Sequence, residues 1–153
     1  MMSRNYRITQ KKLYILLITI SILILLLSLE ALMEVKDRGL FLQWFEEVQS
    51  QEEISISEAE AFDTYVSGHI LLYMLNLVIP LGFALHTFFA YQKAKINSLF
   101  IYLWFIMLMG GMAFTLISWN FDSLFYYIRL VAYLVLIGIT LSLSKEVGIS
   151  KNW

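Results

Sequence analysis

Four stretches of almost unbroken apolar residues run through this chain, separated by polar and charged segments. Each stretch is about 20 residues long, enough for a helix to cross the roughly 30 Å hydrocarbon core of a bilayer. The pattern predicts transmembrane helices over residues 13–33, 64–91, 98–119 and 121–142. The predicted fold class is therefore an all-α integral membrane protein, a four-transmembrane-helix bundle with tails at 1–12 and 143–153.

The first stretch has a second interpretation. It follows a basic flank, as the apolar core of a secretory signal peptide does. However, it is longer than a usual signal-peptide core, and residues 28–31 are a poor match to a small-x-small cleavage site. We therefore expect a retained helix.

The segment at 34–63 contains nine acidic residues and two basic ones. Apolar residues recur there at helical spacing, namely Leu40, Phe41, Trp44, Phe45 and Val48. This periodicity predicts a short amphipathic helix over about 39–49. Its apolar side is either an aromatic anchor in the membrane interface or a contact surface for a partner protein.

Local signals mark where two of the helices begin. Ser57 followed by Glu60 matches the capping box, which predicts a helix start at that point. Asn97 or Ser98 is expected to cap the third span. Because Asn120 leaves almost no loop, the last two helices are predicted to form a tight antiparallel hairpin.

Charge distribution predicts the orientation. Lys and Arg concentrate in the two tails and in the connection at 92–98. The positive-inside rule then predicts cytoplasmic termini and an outer acidic segment, in a multi-pass protein of the cell membrane. The acidic segment also argues against a nucleic acid partner.

Polar side chains inside the apolar stretches are the candidate functional residues, because they are costly in a bilayer. They are Arg129, Asp122, Glu30, His69 and Asn76. The first four are expected at similar depth in the outer leaflet and Asn76 somewhat deeper, and our hypothesis is that they converge on one polar cluster inside the bundle. Three interpretations stay open: an internal network that holds the helices together, a binding or conduction site, and unrelated side chains that extend to the interface.

Small residues form a second candidate set, for helix packing: Gly110, Gly111, Thr115, Gly82 and Gly138. Small side chains let two helices approach closely in a membrane. Gly111 and Thr115 follow the small-xxx-small spacing. We expect packing within the chain, with a dimer face as the alternative.

Composition narrows the chemistry. The chain contains no cysteine and therefore no thiolate nucleophile. It is 59% hydrophobic and 15% charged, and four spans in 153 residues leave no room for a separate soluble catalytic domain. His69 and His86, 17 residues apart on one predicted helix, lie about 25 Å apart and cannot together ligate one haem. No catalytic motif is present, so no cofactor, no metal and no enzymatic activity are predicted.

These observations favour a non-enzymatic membrane protein that acts through protein contacts. We expect an accessory, assembly, immunity or regulatory component of a cell-envelope system. Its predicted partners are the lipid bilayer and either another membrane protein or a second copy of the chain. The alternative is a small channel or transporter subunit with an outer-leaflet polar site around Arg129.

Overall fold

The computed structural model describes residues 8–51, 56–92, 96–117, 121 and 123–149, with Gln51 and residues 145–149 described by their backbone alone. The described chain is all-helical. Its helices are α1 (Gln10–Lys36), α2 (Arg38–Gln51), α3 (Glu58–Gln92), α4 (Ser98–Ile117) and α5 (Leu124–Ile149). Four of these, all but α2, are long and apolar enough to cross a membrane. These helices suggest a multi-pass membrane protein.

Several helices differ in their limits from the predicted spans. Helix α3 begins at Glu58, where the capping box predicts a helix start, ahead of the span expected from 64. Helix α5 begins at Leu124 rather than at 121 and continues past 142 to Ile149. A helix continues as long as its backbone hydrogen bonds do, so its ends need not coincide with the ends of an apolar stretch. The turn predicted at Asn120 lies outside the described residues.

Side-chain caps account for two of the helix starts. The backbone N–H of Ser57 donates to Oε2 of Glu60 at 3.2 Å, and the backbone N–H of Glu60 donates to Oγ of Ser57 at 3.4 Å. This reciprocal pair is the capping box that the sequence predicts before α3. Oδ1 of Asn97 accepts a 2.9 Å hydrogen bond from the backbone N–H of Phe100 and caps α4.

Helix α1 lies at the centre of the packing, since it contacts both α3 and α5, and α5 in turn packs against α4. Its buried apolar residues recur every three or four positions at Leu16, Ile20 and Leu23, which places them along one face. Leu108 of α4 and Leu136 of α5 belong to the same core. The outward faces of the four long helices stay apolar, as expected for surfaces that contact lipid.

Helices α3 and α4 meet chiefly through large rings. The rings of Phe83 and Trp104 lie 5.0 Å apart, and Nε1 of Trp104 donates a 2.9 Å hydrogen bond to Nδ1 of His86. An indole N–H left unpaired inside an apolar contact is unfavourable, so His86 supplies an acceptor that α4 itself lacks.

Helix α2 packs on the first turns of α3. Phe41, which is 2% exposed, contacts Ala61 and Tyr65 in a small core separate from the main one. The Phe41 and Tyr65 rings are 5.6 Å apart at a steep angle, an arrangement that aromatic pairs favour. We call the end of the helices where α2 lies the α2 end.

Candidate functional site

A buried ion pair joins α5 to α1. Nη2 of Arg129 donates to Oε1 of Glu30 at 3.1 Å, and each residue is 8% exposed. Arg129 lies five residues into α5, about 8 Å from the start of that helix. Because isolated charges are costly at that depth, the pairing removes a penalty that either residue alone would carry.

A second polar pair joins α1 to α3 one turn farther along. Nδ1 of His69 lies 3.1 Å from Oε2 of Glu34. Tyr65 supports the same turn, since its hydroxyl donates to the backbone carbonyl of Glu34 at 3.1 Å and its ring lies 4.3 Å from the His69 ring. Together the two pairs tie α1 to both α3 and α5.

A cavity of about 240 Å³ lies beside these pairs, between α1, α3, α4 and α5. Its polar lining consists of Glu30, Glu34, His69, Tyr73, Asn76 and Arg129, and its other walls are apolar. We call it the Arg129 cavity. Since liquid water occupies about 30 Å³ per molecule, this volume corresponds to about eight waters.

Tyr73 is held in the cavity wall by α1. Oγ of Ser28 donates to the backbone carbonyl of Ile24 at 2.8 Å, and the Tyr73 hydroxyl lies 2.9 Å from the same Oγ. Because the serine proton is directed at Ile24, the tyrosine is the donor in that contact. The phenolic oxygen then keeps its own acceptor capacity.

Arg129 has one donor without a partner. Its Nε is buried and has no hydrogen-bond acceptor within the described part of the chain. An unsatisfied charged donor is unfavourable by more than the roughly 1–3 kcal/mol of a neutral one. Because this Nε has almost no accessible surface, the missing hydrogen bond adds to the cost of burying the Arg129 guanidinium.

Four of the five residues predicted to form a polar cluster line this one cavity: Glu30, His69, Asn76 and Arg129. Asp122 lies outside the described residues. Within the cluster Arg129 pairs with Glu30, and His69 pairs with Glu34.

The cluster also includes residues that sequence analysis did not select. Glu34 follows Glu30 by four positions, which places both carboxylates on one face of α1, so the helical repeat offered a usable signal. Ser28 and Tyr73 carried no such signal. Hydroxyl side chains are common in membrane helices, and only the packing of α1 on α3 pairs these two.

The predicted apolar side of α2 divides between two environments. Phe41 is buried against α3, and Trp44 and Phe45 are partly buried beside it. Val48 is half-buried, whereas Leu40 is 44% exposed. Phe41 therefore serves internal packing and is not free for an external partner.

The small residues also differ in their surroundings. A Cβ at Gly111 would lie 2.7 Å from Oη of Tyr133, and one at Gly82 would lie 3.2 Å from the Trp104 ring. Oγ1 of Thr115 donates to the Gly111 carbonyl at 3.0 Å. A Cβ at Gly110 or Gly138 would meet no atom within 4 Å, so a packing role for these two glycines stays a prediction.

No group of three or more His, Asp or Glu residues in the described ranges is arranged to hold a metal ion. No protein-family model, curated protein or solved structure matches the chain.

Proposed function

We propose that this chain is a non-enzymatic polytopic membrane protein that acts through protein contacts, as an accessory, assembly, immunity or regulatory component of a cell-envelope system. In this proposal the four long helices form a membrane bundle, both termini are cytoplasmic, and the α2 end faces outward. The positive-inside distribution of Lys and Arg supports that orientation.

The observation that carries the proposal is the docking of α2 on α3. Phe41 fixes the amphipathic helix to the bundle. Around this contact the carboxylates of α2 and of the first turns of α3 stay exposed, namely Glu46, Glu47, Glu58, Glu60 and Asp63. We call these five residues the acidic surface. A fixed surface of one charge sign is suited to a basic region of a partner, since complementary charge raises association rates and selects partners.

Co-purification from native membranes tests the contact role. A tagged chain is cross-linked in its own membrane, extracted in gentle detergent and analysed by mass spectrometry. We expect one partner at near-stoichiometric yield. Its yield should fall about tenfold in the double variant Glu46→Gln/Glu47→Gln, a change equivalent to about 1.4 kcal/mol of binding.

The matched control alters neutral polar residues of the same helix, Gln43→Ala/Gln49→Ala. Partner yield should stay at the wild-type level there, because the charge of the surface is unchanged. Recovery of the chain without a partner would refute the contact role assigned to the acidic surface. Partner yield that is the same in wild type and in Glu46→Gln/Glu47→Gln would refute it as well.

The Arg129 cavity favours a second candidate function, a small channel or transporter subunit. A transport site needs polar groups and space within the membrane, and the cavity contains both. Flux of small solutes into liposomes that contain the purified chain tests this candidate. Flux that is present with the wild-type chain and lost in Asn76→Leu would support the transport candidate. Flux with the wild-type chain that is no faster than in protein-free liposomes would exclude it.

A further inference from the structure

A second hollow lies where α1 ends and where α2 and α3 begin. Its volume is about 750 Å³, within the roughly 300–1,000 Å³ typical of ligand sites. Among the described residues its polar lining consists of Lys36, Arg38 and Glu58, and its apolar walls include Val35, Phe41 and Phe62. We call it the Lys36 hollow. It is separate from the Arg129 cavity, since the two share no described lining residue.

The charge of this lining is opposite to that of its surroundings. Lys36 and Arg38 are the two basic residues of the acidic segment at 34–63, and both line this one hollow. Asp37 stands between them in the chain but is not part of the lining, and its Oδ1 instead accepts backbone hydrogen bonds from Gly39 and Leu40 at 2.8 and 3.2 Å. Two cations against the single carboxylate of the lining leave it net positive, which attracts an anionic group.

Both cations are available to a further partner. The side chain of Lys36 is exposed and has no ion-pair partner within the described ranges. Nη2 of Arg38 lies 3.4 Å from Oε1 of Glu58, but these two side chains are 79% and 57% exposed. A pair so exposed contributes little to stability. The guanidinium can therefore exchange Glu58 for a phosphate at little cost, and phosphate oxygens match the geometry of its N–H groups.

The apolar walls and the depth of the hollow favour a lipid over a free anion. Phe62 is 41% exposed, beside the Phe41 ring at 5.1 Å. Lys36 follows Met33, the last residue of the first apolar stretch, by three positions, or about 5 Å of helix. In the membrane bundle proposed above, that distance places Lys36 in the headgroup layer, which is about 5–8 Å thick on each side.

We infer that the Lys36 hollow binds one membrane phospholipid, with its phosphodiester at Lys36 and Arg38 and the start of an acyl chain along Phe62 and Val35. The single negative charge of a phosphodiester balances the net positive charge of the lining. The bound lipid links the end of α1 to the starts of α2 and α3. The inference rests on the membrane insertion of the proposed bundle and needs no protein partner.

Native mass spectrometry of the purified full chain, delipidated in detergent, tests the inference by counting bound lipids. The probes are dioleoylphosphatidylglycerol and dioleoylphosphatidylcholine, with dioleoylglycerol as the phosphate-free lipid and inorganic phosphate as the chain-free anion. For each phospholipid, one copy should bind more tightly than any further copies. Dioleoylglycerol should bind at least about tenfold more weakly, because it lacks the charge-assisted hydrogen bonds. Inorganic phosphate, at constant ionic strength, should not displace the phospholipid.

Two variants locate the site, and both alter exposed side chains outside the main core. Lys36→Gln should weaken phospholipid binding about tenfold, and Lys36→Arg should restore it, because the positive charge is what binds the phosphate. Phe62→Ala should weaken binding about fivefold, because it removes apolar contact area.

Each variant has a matched control elsewhere on its own helix. Lys11→Gln removes an exposed lysine from the first turn of α1, at the far end from the hollow. Phe89→Ala removes an exposed ring of α3 that is not part of the described lining. Both controls should bind the phospholipids as the wild type does.

Four results would overturn the inference. A wild-type chain that binds no phospholipid would show that the hollow is not a lipid site. Dioleoylglycerol that binds as tightly as the phospholipids would show that the phosphate is not recognised. Displacement of the phospholipid by inorganic phosphate would make the hollow a site for free anions. Binding that is unchanged in both Lys36→Gln and Phe62→Ala would place the lipid elsewhere on the helices.

This assay uses the purified chain, without a partner and without a liposome. Its failure is therefore separable from failure of the co-purification and from failure of the flux measurement.

Discussion

Arg129 and Glu30 are 99 positions apart in the chain, yet Nη2 of the first donates to Oε1 of the second at 3.1 Å. Both residues are buried. The pair joins the last helix to the first, and Glu34 and His69 extend the connection to α3. These four side chains thus contact one another across the helices, and a cavity remains beside them.

Loss of one partner of the buried pair should destabilise the protein strongly. Arg129→Gln or Glu30→Gln leaves the other charge buried and unpaired, which in proteins removes about 3–5 kcal/mol of stability. Arg38→Gln is the matched control. Arg38 pairs with Glu58 at 3.4 Å on the surface, and such a pair contributes at most about 1 kcal/mol. Unfolding in mixed micelles measures all three variants, and equal losses would contradict the burial of the Arg129 pair.

Gly111 should not tolerate a methyl group, although its neighbour Gly110 should. Gly111→Ala brings a Cβ to within 2.7 Å of Oη of Tyr133, and such overpacking destabilises by about 1–3 kcal/mol. Gly110→Ala enters open space and adds helix propensity of up to about 1 kcal/mol. In thermal unfolding, Gly111→Ala should therefore lower the unfolding midpoint, and Gly110→Ala should leave it unchanged or raise it. If both were neutral, α4 and α5 would not approach as closely as described.

Truncation of Phe41 should release α2 from α3. Phe41→Ala removes a ring that is 2% exposed, a change that destabilises by about 3–5 kcal/mol where the side chain is fully packed. Faster hydrogen exchange should appear in α2 and the first turns of α3, with α4 and α5 unaffected. Leu40→Ala, at an exposed neighbour, is the control and should leave exchange unchanged. Uniformly slow exchange in Phe41→Ala would show that α2 is held by other contacts.

The hydrogen bond between Trp104 and His86 should be measurable as a coupling free energy in a double-mutant cycle. Trp104→Phe removes the 2.9 Å bond to Nδ1 and should lower stability by about 1 kcal/mol beyond the loss of packing. Combined with His86→Leu, the total loss should be smaller than the sum of the two single losses. Additive losses in this double-mutant cycle would exclude the bond. Trp44→Phe, at a partly buried indole on α2, serves as the comparison.

Much of the fold follows from hydrophobic length and local caps. The apolar stretches predict the four long helices because the bilayer requires about 20 apolar residues per span. Ser57 and Glu60 predict the start of α3 because the two side chains satisfy each other's backbone donors. These signals are local, so one sequence suffices to find them.

The partners of the polar residues depended on helix rotation, which no local signal fixes. The cost of polar groups in apolar helices predicts Arg129, Glu30, His69 and Asn76 as candidate residues, and all four line one cavity. That cost does not predict that His69 contacts Glu34, or that His86 accepts a hydrogen bond from Trp104. Gly110 and Gly111 carry the same signal in the sequence. Only the packing of α5 shows that Gly111 is the crowded one.

A charge exchange between Arg129 and Glu30 is the most direct test of whether these two residues pair in the folded chain. Glu30→Arg and Arg129→Glu should each destabilise the chain severely, because each variant places two like charges in a buried contact. The double variant Glu30→Arg/Arg129→Glu restores opposite charges and should recover most of the folded protein, measured as monodisperse yield after extraction. A double variant no better than the worse single variant would contradict the pairing of α1 with α5 through these residues.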